Sequence, residues 1–171
     1  MVTLAIISLV VFALYLIVMA KLHGIQPSIS DNYYVSRHPW TFTLVMWLVA
    51  FCMLPPMLSA TSETWQFTAF LSCAGIAFVG AAAAYRQSLT NTVHIAGAAT
   101  AGLMAIVWAY TICPPLPTIA LIVAAYLILS KPRCPQPPCL RRQSQVSTIY
   151  WLEVTAFATA YLTYFIHHLI E

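Results

Sequence analysis

The sequence predicts an all-α integral membrane bundle of six transmembrane helices, and three observations carry that prediction. First, 61% of the 171 residues are hydrophobic and only 6% are Asp, Glu, Lys or Arg, with a mean hydropathy of +0.84. A soluble domain is roughly 25% charged, so this chain has too little charge to coat a folded surface in water. Second, six apolar runs fall at residues 2–20, 40–58, 66–84, 93–113, 116–130 and 149–170. A helix needs roughly 20 such residues to cross a hydrocarbon core of about 30 Å. Third, all seven Lys and Arg residues lie in the first, third and fifth loops between these runs.

Taken in order, the first run is uncharged, lacks the positive n-region of a cleaved signal peptide and exceeds the usual h-region, so it reads as a retained span. Pro55 and Pro56 are expected to weaken the second near its end. A short polar turn at 85–92 joins the third and fourth, and the fifth is the shortest. The sixth contains Glu153 one turn in and ends near His167 and His168. Lys21 and Arg37 occupy the first loop, Arg86 the third, and Lys131, Arg133, Arg141 and Arg142 the fifth. Short loops rich in Lys and Arg stay cytoplasmic, which places both termini outside the cytoplasm of a bacterial inner membrane. The chain is expected to be one domain, 1–171, without a soluble part.

Gly97 with Ala101, and Ala98 with Gly102, stand four apart, a spacing that lets helix backbones approach closely in lipid. The third and fourth spans are therefore expected to form a tight antiparallel hairpin, a homo-oligomer face being the alternative use of these small residues. Trp40, Trp65, Trp108, Tyr33, Tyr34, Tyr85 and Tyr150 fall near span ends, where an aromatic belt is expected. The proline-dense stretch 131–142 reads as an extended connector whose cations suit anionic headgroups. Cys134 and Cys139 are not spaced as a redox or zinc pair, and on a cytoplasmic loop they would be reduced. Cys52, Cys73 and Cys113 read as small apolar residues.

Ionisable side chains gather at the odd-loop end: His23, Asp31, Arg37, His38, Arg86, His94 and Glu153. Lipid makes such groups costly, up to about 2.5–3.5 kcal/mol at the bilayer centre, which marks them as functional candidates. Two readings follow. In the structural one, Glu153 pairs with Arg37 or Arg86, and Asp31 caps a turn. In the functional one, Ser28 or Ser30 with Asp31, His94 and Glu153 forms a catalytic acid/base set, or Asp31, His94 and Glu153 bind zinc. His167 and His168 lie about 21 Å farther along the last helix and cannot join either set.

Pro27-Ser28-Ile29-Ser30-Asp31-Asn32-Tyr33-Tyr34, Val93-His94 with Gly97-Ala98, and Trp151-Leu152-Glu153 with Ala156-Phe157 resemble a bacterial multi-pass membrane family of unknown function, grouped loosely with Frag/DRAM-like proteins. The motifs are short but span nearly the whole chain. The resemblance implies an integral membrane protein with the Ser-Ile-Ser segment, His94 and Glu153 as its marked positions. More distant is an analogy to the CREST superfamily of membrane hydrolases, which includes the alkaline ceramidases and uses Ser, Asp and His around zinc. That group has seven spans and a last-helix His-x-x-x-His. This chain offers six, with Glu153 and the adjacent His167-His168, so hydrolase activity does not carry over.

A net charge of +3 on so apolar a chain gives no basic face for nucleic acid. Nothing resembles a nucleotide loop, a haem or iron–sulfur ligand set, or a nucleophile elbow. The expected function is a lipid-interacting or lipid-sensing membrane protein, with membrane lipid as partner, no cofactor and no catalysis demonstrable from sequence. A zinc-dependent lipid hydrolase and a small-molecule transporter are the alternatives. A transporter needs a polar path at mid-membrane, where the spans offer only scattered Ser and Thr.

Overall fold

Each of the six apolar runs folds as an α-helix in the computed structural model, which describes residues 1–82, 88–130 and 138–170, without the side chains of 88–91 and 138–147. Among the described residues seven α-helices follow one another: α1 (Val2–His23), α2 (Asn32–Val35), α3 (Trp40–Ser59), α4 (Gln66–Ala82), α5 (Ser88–Ile112), α6 (Pro115–Leu129) and α7 (Pro138–Ile170), with a 3-10 turn at Glu63–Trp65 ahead of α4. The described residues contain no strand. Four of these elements, α1, α3, α4 with its leading turn, and α5, are long and apolar enough to cross a membrane. At about 22 Å, α6 is short for that task, whereas α7 reaches about 50 Å.

One helix boundary agrees with expectation in spite of its prolines, and one differs. The pair Pro55-Pro56 does not end α3, which continues to Ser59. Side chains supply donors for its terminal carbonyls: Ser59 Oγ to Pro56 O at 2.8 Å, Thr61 Oγ1 to Met57 O at 2.5 Å, and Gln66 Nε2 to Leu58 O at 3.4 Å. Those bonds satisfy acceptors that would be costly bare in an apolar medium. The extended connector expected at 131–142 gives way to helix at Pro138. Proline suits a first helical position because its missing N–H would have no partner there. Lys131, Arg133 and Cys134 lie outside the described residues, as do the side chains of Cys139, Arg141 and Arg142.

Helix α1 packs on α3, α3 on α4, α4 on α5 and α5 on α7, and α7 returns to α1, closing a ring with α6 outside against α5 and α7. The expected hairpin of small residues is present, as α4 and α5 share the most extensive contact. A Cβ on Gly75 would stand 2.7 Å from Gly97 O and 2.8 Å from Ala101 N, and Ser72 Oγ bonds Ala101 O at 3.2 Å. Gly80 does the same for α3, where a Cβ would stand 2.9 Å from Met46 Cβ. There Thr43 and Trp47 donate to the Gly80 and Ala77 carbonyls at 2.9 and 3.1 Å. In the second expected pair Gly102 makes no close helix contact. A Cβ on Gly102 meets nothing within 4 Å, and both Ala98 and Gly102 border an interior cavity. The ring is sealed by Ser8, which bonds Val49 O at 3.1 Å and Tyr161 Oη at 2.7 Å, and by Phe12 against Phe157 at 4.2 Å between ring centroids.

The outer surface of the ring is apolar, with Leu14, Phe51, Phe70, Phe78 and Ile122 all exposed. The aromatic belt is only partly realised. Trp40, Trp65 and Tyr34 are exposed, whereas Trp108 and Tyr150 are buried. Trp108 donates to Thr61 Oγ1 at 2.6 Å and ties α5 to the α3–α4 corner. Tyr85 lies outside the described residues.

Candidate functional site at one end of the ring

Gly24 ends α1 with φ +74° and an N–H bond to Ala20 O at 3.0 Å. This left-handed conformation is easy for glycine alone, and it turns the chain into a segment that crosses the end of the ring. Successive i to i+3 backbone bonds from Asp31 to Ser28 O, Asn32 to Ile29 O and Tyr33 to Ser30 O wind that segment into α2. Ser28 organises it: its hydroxyl donates to Asp31 Oδ2 at 3.0 Å, accepts the Asp31 N–H at 3.2 Å, and lies 2.9 Å from Ser30 Oγ. Asp31 occupies the N-cap position of α2, yet its side chain makes no cap bond. The expected cap is thus replaced by a carboxylate held by Ser28.

Glu153 meets this turn from α7. Its Oε2 accepts the Ile29 N–H at 2.6 Å, and the Ile29 side chain is only 3% exposed. The expected pairing of Glu153 with Arg37 is not formed. Arg37 is exposed, and the buried backbone N–H takes its place as partner, because a fixed donor costs no side-chain entropy to hold. The alternative partner, Arg86, lies outside the described residues.

Of the candidates read from sequence, Ser28, Ser30, Asp31 and Glu153 are therefore brought together. Asp31 is close enough to act electrostatically on both Glu153 and His94. His94 Nδ1 is buried without a partner among the described residues. The Ser28 hydroxyl is directed at Asp31, which is not the serine–histidine contact a nucleophile requires. Among the described residues no three His, Cys, Asp or Glu side chains group at metal-ligating distance.

Behind Glu153 the ring holds a half-open cavity of about 260 Å³ between α3, α4, α5 and α7. Its walls are apolar, including Met46, Met53, Ala105 and Phe157, and Ile29 and Ser30 close the end where Glu153 stands. The cavity was not legible in the sequence. Met46, Met53 and Met57, seven and four residues apart on one helix face, line it, but their spacing is equally that of a filled core. Tyr161 and Ser72, which also border it, carried no signal at all. No known protein family, curated protein or solved structure matches the chain significantly.

Proposed function

We propose that the chain is a six-span protein of a bacterial cytoplasmic membrane, with both termini outside the cytoplasm, that binds one apolar or amphipathic molecule from the bilayer inside its helical ring. The reading is non-enzymatic and requires no cofactor. Six apolar helices, an apolar outer surface and cations confined to the odd loops support the membrane part. Of the three positions that the family resemblance marks, Ile29 and Ser30 of the Ser-Ile-Ser segment and Glu153 line one end of the cavity, whereas His94 is not among its lining residues.

The single observation that carries the binding reading is a cavity of about 260 Å³ with apolar walls and a carboxylate at one end. Its size is just below the roughly 300–1,000 Å³ of small-molecule sites, and each methylene buried there would contribute about 0.8 kcal/mol. Gly102→Leu tests it, because a side chain at this position grows into open space beside the cavity. In nanodiscs, native mass spectrometry should show a co-purifying lipid-sized adduct on the wild type and at least tenfold less on Gly102→Leu. Equal occupancy in the two proteins would remove the reading.

A further inference from the structure

The proposal above leaves open what the polar end of the ligand must be, and hydrogen-bond accounting around the cavity answers it. Among the described residues five polar side chains line the cavity: Ser30, Ser72, Cys73, Glu153 and Tyr161. Each hydroxyl or thiol carries one proton to donate, and each of those protons is already used. Ser72 donates to Ala101 O at 3.2 Å, and Cys73 Sγ to Met57 Sδ at 3.8 Å. Ser8 spends its proton on Val49 O, so Tyr161 Oη is the donor in the 2.7 Å bond between them. Ser28 spends its proton on Asp31, so Ser30 is the donor in theirs.

What remains is acceptor capacity. Glu153 uses one oxygen for the Ile29 N–H, and a carboxylate offers roughly four lone-pair sites. Asp31 adds a second carboxylate close enough to act on Glu153 electrostatically. Lys21 and Arg37, the described Lys and Arg of this end, are exposed, and His94 stands close enough to Asp31 for the two to act on each other electrostatically. Among the described residues that line the cavity a phosphate or carboxylate headgroup would find no free side-chain donor, and at its end it would meet the carboxyl groups of Glu153 and Asp31. A donating cation would meet a charge-assisted acceptor, about twice as strong as a neutral one.

We infer that the cavity takes a single-chain amphiphile with a cationic, hydrogen-bond-donating headgroup, of which a primary alkylammonium is the simplest. The assignment rests on the cavity-binding reading, and one experiment separates the two. Titrate the protein in phosphatidylcholine nanodiscs with an alkylamine, an alkanol and an alkanoate of one chain length, with empty nanodiscs as the blank. The alkylammonium should bind at least about tenfold more tightly than either of the others. Glu153→Gln keeps an acceptor for the Ile29 N–H but removes the charge. It should weaken alkylammonium binding about tenfold while changing alkanol binding by less than about threefold. Equal or tighter binding of the alkanoate or alkanol, or indifference of the alkylamine to Glu153→Gln, would overturn the headgroup assignment. If the alkanoate binds and Gly102→Leu blocks it, the cavity reading survives and only the headgroup falls. If none of the three binds, both fall.

Discussion

Gly75 has no room for even a methyl group, since its missing Cβ would lie within 2.8 Å of both Gly97 O and Ala101 N. Gly102, on the neighbouring helix, has open space. Gly75→Val should therefore cost about 1–3 kcal/mol or more through overpacking, whereas Gly102→Ala should be close to neutral. Thermal unfolding in detergent, followed by circular dichroism, compares the two. A second residue-scale test concerns Ser8, which is fully buried and serves both Val49 O and Tyr161 Oη. Ser8→Ala leaves the Tyr161 hydroxyl unpaired and should cost about 1–3 kcal/mol. Adding Tyr161→Phe removes that orphan, so the double variant should be clearly less destabilised than the sum of the singles. Strict additivity would show that the bond contributes nothing.

Elements in this fold are held by donors borrowed from side chains. The end of α3 relies on Ser59, Thr61 and Gln66 for its carbonyls, and Thr61 in turn accepts from Trp108 of α5. Thr61→Val keeps the shape but loses both bonds, leaving the Trp108 indole N–H buried without a partner. A cost of about 1–3 kcal/mol is expected, together with faster hydrogen exchange in the last turn of α3. The segment between α1 and α2 depends on Gly24 in the same way. At φ +74°, Gly24→Ala costs about 1–2 kcal/mol, and the strain falls on the turn that presents Ile29 to Glu153. Amide exchange of Ile29 should rise in this variant while the Gly75–Gly97 contact region is unchanged.

At the scale of the whole molecule, the ring order α1–α3–α4–α5–α7 puts the segment before α2 and the start of the apolar part of α7 at the same end, joined by the Ile29–Glu153 bond. A six-span threading makes a testable statement about that end. In a chain with its five native cysteines replaced, a single cysteine at Gln26 should react with an impermeant thiol reagent only from the cytoplasmic face. One at Ser62, between α3 and α4, should react only from the opposite face. Labelling of both from one side would refute the six-span arrangement and the orientation together.

Composition and hydropathy by themselves determined the all-helical class and the position of the six apolar helices, though not α2 or the start of α7 at Pro138. A run of about 20 apolar residues in lipid must satisfy its backbone internally, whatever its neighbours are. The same local reasoning found the α4–α5 hairpin through Gly97 and Ala101, and it located the polar end through Asp31, His94 and Glu153. It misassigned whatever depended on the partner. Glu153 turned out to hold a backbone N–H and not Arg37, Arg86 lying outside the described residues, Trp108 an interior threonine instead of the interface, and Gly102 a cavity instead of a helix. Only the tertiary structure decided these, because a hydrogen bond or a void is a relation between residues far apart in sequence. Its energy depends on a distance of a few tenths of an ångström, which no single helix encodes.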